Sequence, residues 1–251
     1  MTCLFLIAFI SPLALGTNAD GRNENSHPGD PEQTDGHEKQ GKSSPIMLNY
    51  RPPFRGRPGN RVGGGTRGPD NGVPFLASLA PDHTGLTMHP QPALYWYISQ
   101  PSAHRIEFTL INEQCIEPVL EVGVKKTLQR GIQGLRLSDH HVELSPGIEY
   151  QWFVAMVSDP DHRSKDIVAG GAIEYIEPSQ GLINDLEGAQ GMEVPAILAR
   201  EGLWYDALDS ITGLIIAHPD NEELQRQRGL LLEQVGLSMD LENENTKNGR
   251  K

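Results

Sequence analysis

Between residues 74 and 177 apolar and polar side chains alternate in short runs, the period of two that marks β-strands. The clearest run is 105–111, where Ile106, Phe108 and Leu110 share one face and Arg105, Glu107 and Thr109 the other. Runs 75–80, 93–99, 119–124 and 135–137 read as further strands, punctuated by Pro81, Pro90, Pro92, Gly131 and Gly134, with Thr84-Gly85 in a connection. Two longer strands, 149–158 and 167–176, flank a polar loop. In the first of them Tyr150, Trp152, Val154 and Met156 share one face, while Phe153, Ala155 and Val157 share the other with Gln151. Both faces are mostly apolar, which predicts a hairpin at the centre of a two-layer structure. After Pro178 the period changes to about 3.6. Pro195 opens a short helix through Arg200, and Leu203, Ala207, Ile211, Leu214 and Ile215 line a second helix that stops before Pro219. Asp220 and Asn221 suit the N-cap of a third, whose stripe is Leu224, Leu231, Leu232 and Val235 and whose end is Gly236.

About seven strands over roughly a hundred residues is the size of an immunoglobulin-like antiparallel β-sandwich, the fold predicted for 73–177. Leu144-Ser145-Pro146-Gly147-Ile148-Glu149-Tyr150 resembles the corner before the penultimate strand of a fibronectin type III domain. Residues 178–238 are predicted to form an α-helical extension. Within it Gly202-Leu203-Trp204-Tyr205-Asp206-Ala207-Leu208, Pro219, Gly229 and Leu232 resemble a tetratricopeptide repeat, and Gly202 and Gly236 stand one 34-residue period apart (236 − 202). About one and a half such units cannot stand alone, so the helices are expected to dock on the sandwich. The polar tail, 239–251, is expected to fray.

The N-terminal part has a different composition. Residues 2–16 are apolar without a charge, interrupted by Pro12 and followed by Thr17, Asn18 and Ala19. That pattern predicts a signal peptide, 1–19, too short to serve as a membrane span, and a protein exported to the periplasm or beyond. Residues 20–72 are poor in apolar side chains and are predicted to be a disordered linker. Its 50–68 stretch is rich in Arg and Gly: Arg51, Arg55, Arg57, Arg61 and Arg67 stand there with no acid. Gly63, Gly64 and Gly65 are not followed by the Lys-Ser/Thr pair that a phosphate-binding loop needs. The whole chain carries 21 basic and 33 acidic residues, a net charge of −12, which argues against nucleic acid as a partner. Much of the excess is local, with thirteen carboxylates against three arginines in 178–244. The arginine stretch is therefore expected to fold back on the helical face, of its own or a second copy, through charge-assisted contacts.

Candidate chemistry is sparse. Asp159, Asp161 and Asp166 carry oxygens suited to calcium, but Arg163 and Lys165 compete for them, so Asp turns and an Asp–Arg pair are the expected contents of this loop. Neither metal nor cofactor is expected. His140 and His141 on a strand would face opposite ways and share no metal. Cys3 lies in the signal segment, which leaves Cys115 as a lone thiol. No nucleophile sits in a recognisable turn and no catalytic residue is assigned; a hydrolase would require His140, Asp166 and a hydroxyl to converge. Tyr95 and Tyr97 share the face opposite Trp96. Together with Trp204 they would stack on a sugar if exposed and coplanar, which is the carbohydrate-binding alternative; packing beneath the helices explains the pair equally well.

Several words taken together resemble domain-of-unknown-function family 928, exported proteins of cyanobacteria and other envelope-bearing bacteria. They are the Arg55–Gly68 stretch RGRPGNRVGGGTRG, Gly85-Leu86-Thr87 with Tyr95-Trp96-Tyr97, Tyr150-Gln151-Trp152 followed by Ser158 through Ser164, and Gly202 through Leu208. The resemblance covers about 50–237 and implies an exported protein without assigned activity. The expected role is a non-catalytic protein-binding or assembly module of the cell envelope, with an envelope protein or peptide as partner. Ser158 stands where the family pattern implies cysteine, which leaves Cys115 without a disulfide partner.

Overall fold

A computed structural model describes residues 46–53, 61–63, 74–112, 115–124 and 129–237. Eight strands come first: β1 (Leu76–Ser78), β2 (Gly85–Thr87), β3 (Ala93–Ile98), β4 (Arg105–Asn112), β5 (Leu120–Val124), β6 (Gly131–Arg136), β7 (Glu149–Val157) and β8 (Ile167–Tyr175). Four helices follow: α1 (Gln180–Glu187), α2 (Glu193–Arg200), α3 (Trp204–Ala217) and α4 (Glu222–Glu233). The protein is thus mainly β with helices at its C-terminal side. The signal segment, the linker before residue 46 and the tail beyond 237 lie outside the described residues.

The strands form a five-stranded sheet ordered β2-β8-β7-β4-β5 and a three-stranded sheet ordered β1-β3-β6. Every pairing is antiparallel except that of β2 with β8. As the apolar pattern implied, β7 is the middle strand of the larger sheet, with Trp152 opposite both Leu110 and Gly171. One expectation about it needs correction. Tyr150, Trp152, Val154 and Met156 are buried, whereas on the second face only Val157 is buried and Gln151, Phe153 and Ala155 are half-buried. The helices explain this, because α3 packs on β2 and β3 and leaves the second face of β7 partly open. Ile106, Phe108, Leu110, Leu94, Trp96 and Ile98 join the first face in one core.

Two short features escaped the periodicity. β2 replaces part of the connection expected near Thr84-Gly85, since three residues are too few to display a period and this strand is defined by its pairing with β8. β6 starts at Gly131, well before the expected position 135. There Gly134 is not a break: it lies opposite Tyr95, and a Cβ on it would come within 2.7 Å of that ring. The glycine keeps the strand flat enough for the aromatic ring to cover it. His140 and His141 do not lie on a strand. His140 closes a 3₁₀ turn after β6 and His141 takes the left-handed conformation, φ 57°.

α1 begins where Ser179 Oγ accepts a hydrogen bond from Leu182 N, at 3.2 Å. α4 begins at Asn221, as read, with Oδ1 accepting from Glu223 N and Leu224 N at 3.1 and 3.3 Å. Asn221→Ala is expected to cost about 1 kcal/mol, measurable as a lower urea midpoint with unchanged slope. The helices do dock on the sheets. All described residues fall in one compact unit, and none of the described helices is long and apolar enough to cross a membrane.

Candidate functional site

Two polar constructions meet at the first turns of α3. The first is a cleft of about 320 Å³ lined by His89, Pro90, Arg136, Ser138, Asp206 and Asp209 among others. Asp206 is buried, and its two oxygens accept from Met88 N at 3.0 Å and Thr87 Oγ1 at 3.1 Å, with His89 Nε2 at 3.7 Å. Burial pushes its carboxyl up to about 6 against the opposing pull of these donors. One turn on, Asp209 receives Arg136 through two bonds, at 2.6 and 3.0 Å, and the Tyr95 hydroxyl at 2.5 Å. Burial and the Asp209 carboxylate together raise the Tyr95 phenol well above its usual range. A carboxyl near pKa 6 has the right proton affinity for acid–base work. Here, however, both oxygens of Asp206 are engaged in tying the segment after β2 to α3, and Asp209 ties β3 and β6 to the same helix.

The second construction is a seat for an extended segment, residues 46–53, laid across the helices. Leu48 N donates to Gln227 Oε1 at 3.2 Å, Tyr50 N to Gln234 Oε1 at 2.8 Å, and Gln234 Nε2 to Leu48 O at 2.9 Å. Arg51 N donates to Ala199 O at 3.1 Å. Leu48 and Tyr50 are buried. The Tyr50 ring stacks at 5.9 Å on His83 and stands edge-on to Trp204 at 5.0 Å, and its hydroxyl lies 2.8 Å from His83 Nε2. Burial lifts the Tyr50 phenol far above its usual range and lowers the His83 imidazole. Gly202, at φ +78°, makes room for the segment, because a Cβ there would lie 2.8 Å from Arg51 O. Further along, Val62 exchanges two backbone hydrogen bonds with Gly170 of β8, both 3.0 Å, and Arg61 Nη1 donates to Val235 O at 2.9 Å beyond the end of α4.

These positions revise several expectations. The arginine-bearing stretch does return to the helical face at Arg51 and Arg61. Arg51 donates through its main-chain N to Ala199 O and Arg61 through its guanidinium to Ala80 O and Val235 O, so both meet backbone oxygens rather than carboxylates, and the anchors are Leu48 and Tyr50; Arg55, Arg57 and Arg67 lie outside the described residues. Tyr95, Tyr97 and Trp204 are 9%, 3% and 0% exposed, so they offer no platform for a sugar. The physical reason is the docked helix: Tyr95 bonds to Asp209 of α3, and Trp204 Nε1 donates to Leu79 O at 2.9 Å. In the 159–166 loop, Asp159 accepts from Asp161 N at 3.0 Å and pairs with His162 Nδ1 at 2.7 Å. Arg163 bridges Asp166 and Glu107, each at 2.6 Å. Among the described residues no group of three or more His, Cys, Asp or Glu side chains is placed to hold a metal. Millimolar calcium is therefore expected to leave Tm unchanged in a thermal melt. Cys115 is exposed and unbridged.

Sequence reasoning passed over Asp206, Asp209, Arg136, His83, Gln227 and Gln234. One signal was available. Leu224, Gln227, Leu231 and Gln234 follow each other at spacings of three, four and three, so both glutamines sit on the stripe read as purely apolar.

The fold and these contacts define a mainly β protein whose docked helices hold an extended main chain. The family model described as Domain of Unknown Function (DUF928) matches residues 62–246, 185 of the 251 residues (246 − 62 + 1), and the chain belongs to that family. No curated protein and no solved structure matches it.

Proposed function

We propose that the protein is an exported, non-catalytic protein-binding or assembly module of the bacterial cell envelope. The observation that carries this reading is the seat on α2–α4, where side-chain amides of Gln227 and Gln234 grip a backbone instead of a side chain. Such groups suit any extended chain, the usual currency of peptide recognition. Export rests on the apolar, uncharged run at 2–16. The two sheets are read as an immunoglobulin-like sandwich, supported by the shared core and by a tyrosine corner in which Ser145 N donates to Tyr150 Oη at 3.1 Å. The parallel edge strand β2 departs from that plan. A tetratricopeptide-like origin for the helices is supported by Gly202 and Gly236, both at positive φ and one period apart.

A photo-crosslinking residue in place of Glu233, exposed on α4 beside Gln234, tests the reading in cells. The expected result is an adduct with an envelope protein that weakens when Gln227 and Gln234 become alanine. Cytoplasmic fractionation, or adducts indifferent to those glutamines, would overturn it.

A further inference from the structure

We infer that the seat formed by Gln227, Gln234, His83 and Trp204 takes an extended segment of a partner protein that presents an apolar side chain and, two residues later, a tyrosine. The chain's own residues 46–53 are its resident occupant, which the partner must displace. This inference rests on the binding-module reading and adds to it the pattern of the ligand and the way access is controlled.

Three observations lead there. The hydrogen bonds to Leu48 N, Leu48 O, Tyr50 N and Arg51 N involve main-chain atoms of the segment, so a different chain in the same register would make them too. Selectivity then falls on the two inward side chains, two residues apart as an extended backbone requires. The position of Tyr50 is specific, since it combines a stacked ring, an edge-on ring and a hydroxyl partner in His83. A leucine or phenylalanine in that place would leave His83 Nε2 without this bond.

Finally, the resident segment fits incompletely at its start. Ile46 and Met47 are 41% and 63% exposed. They border two clefts of about 320 and 550 Å³: one has Ala196 and Ile197 with Asp185 and Glu193 on its rim, the other Leu230 with Glu233. An occupant with better-fitting residues at these positions would cover apolar surface that residues 46 and 47 leave in water.

A tethered occupant acts at an effective concentration of millimolar order, so it shields the seat from weak competitors. The test is a fluorescein-labelled peptide with the sequence of residues 46–53, titrated into the full chain by fluorescence polarisation. Wild-type protein should bind it weakly, and Leu48→Ala/Tyr50→Ala protein roughly 100-fold more tightly, because its own segment no longer competes. Peptides with alanine at the leucine or the tyrosine position should lose binding, as should the double variant when Gln227→Ala and Gln234→Ala are added. Tyr50→Phe, which removes only the hydroxyl, should show a smaller gain of a few-fold and serves if the double variant fails to fold. Equal affinity for wild type and variants, or no binding to a variant that melts like wild type, would overturn the inference. If glutamine-dependent adducts form in cells while the peptide pattern is ignored, the module reading stands and this inference falls. If neither occurs, both fall.

Discussion

Replacing Trp204 by alanine is expected to lower the unfolding free energy by about 3–5 kcal/mol, the range for deleting a large buried aromatic. Trp204 is fully buried where three parts of the chain meet. Its indole N–H donates to Leu79 O just after β1, its face meets the edge-to-face contact with Tyr50 of the seated segment, and its backbone starts α3. The substitution leaves a cavity and a carbonyl without its donor, and each contributes to the loss. Tyr205 beside it makes the junction deeper still, with its hydroxyl accepting from Trp152 Nε1 and donating to Ala172 O, both at 2.9 Å. Sheet and helices should therefore unfold together in the variant. Urea titrations followed by far-ultraviolet and near-ultraviolet circular dichroism should shift by the same amount and keep coincident midpoints. Helices that melt first while the sheet signal persists would show that they are an appendage, not part of one cooperative core.

This junction marks the boundary of what the amino-acid pattern could convey. Strands β3, β4, β7 and β8 and helices α3 and α4 were legible because each is long enough to present several pleats or turns, although β3 is buried on both faces and β8 at five residues in a row. β2 and the start of β6 were not, because their existence depends on a partner strand and, for Gly134, on the ring of Tyr95 lying across it. The same distinction governs the site. Arg51 and Arg61 were singled out for their charge, yet the segment that carries them is held by Leu48, Tyr50 and two glutamines. Charge is visible in a linear sequence, whereas a buried amide gripping a distant backbone is not. Trp204 and Tyr97 were candidates for a ligand because aromatic rings are useful when exposed, and their burial followed from a helix-on-sheet docking whose geometry no local period encodes. Gln227 was the recoverable omission, since a buried polar residue in register with an apolar stripe requires a partner; Gln234 continues its spacing but is exposed.

Asp206 gives the second large effect, this time in pH. Its folded carboxyl sits at about 6 against an ordinary value of 3.8. Between those values the folded protein retains a proton that the unfolded chain has released, so the folded state binds more protons and stability falls as pH rises through the window. The contribution is fully present below about pH 4 and lost above about pH 6, and the full span corresponds to about 3 kcal/mol. Both protonation states find partners, which is why the site tolerates the change. Thr87 Oγ1 donates to the ionised carboxylate and can accept from the protonated one, while Met88 N continues to donate to the other oxygen. Asp206→Asn has the neutral form's shape at every pH and is expected to abolish this slope while matching the wild-type stability at low pH. Asp206→Ala, which leaves the part-buried Met88 N–H without its acceptor, should instead be destabilised by about 1–3 kcal/mol even at low pH, where the wild-type carboxyl is neutral. Urea unfolding of the three proteins from pH 4 to 7.5 decides the matter, because charged groups away from the carboxyl are common to all and cancel in the difference between wild type and Asp206→Asn, while His89, 3.7 Å from Asp206 Oδ1, is taken out of the comparison by adding His89→Gln to all three. A difference that stays flat, or that favours the wild type increasingly as pH rises, would mean that the hydrogen bonds from Thr87 and Met88 outweigh burial and hold Asp206 ionised throughout.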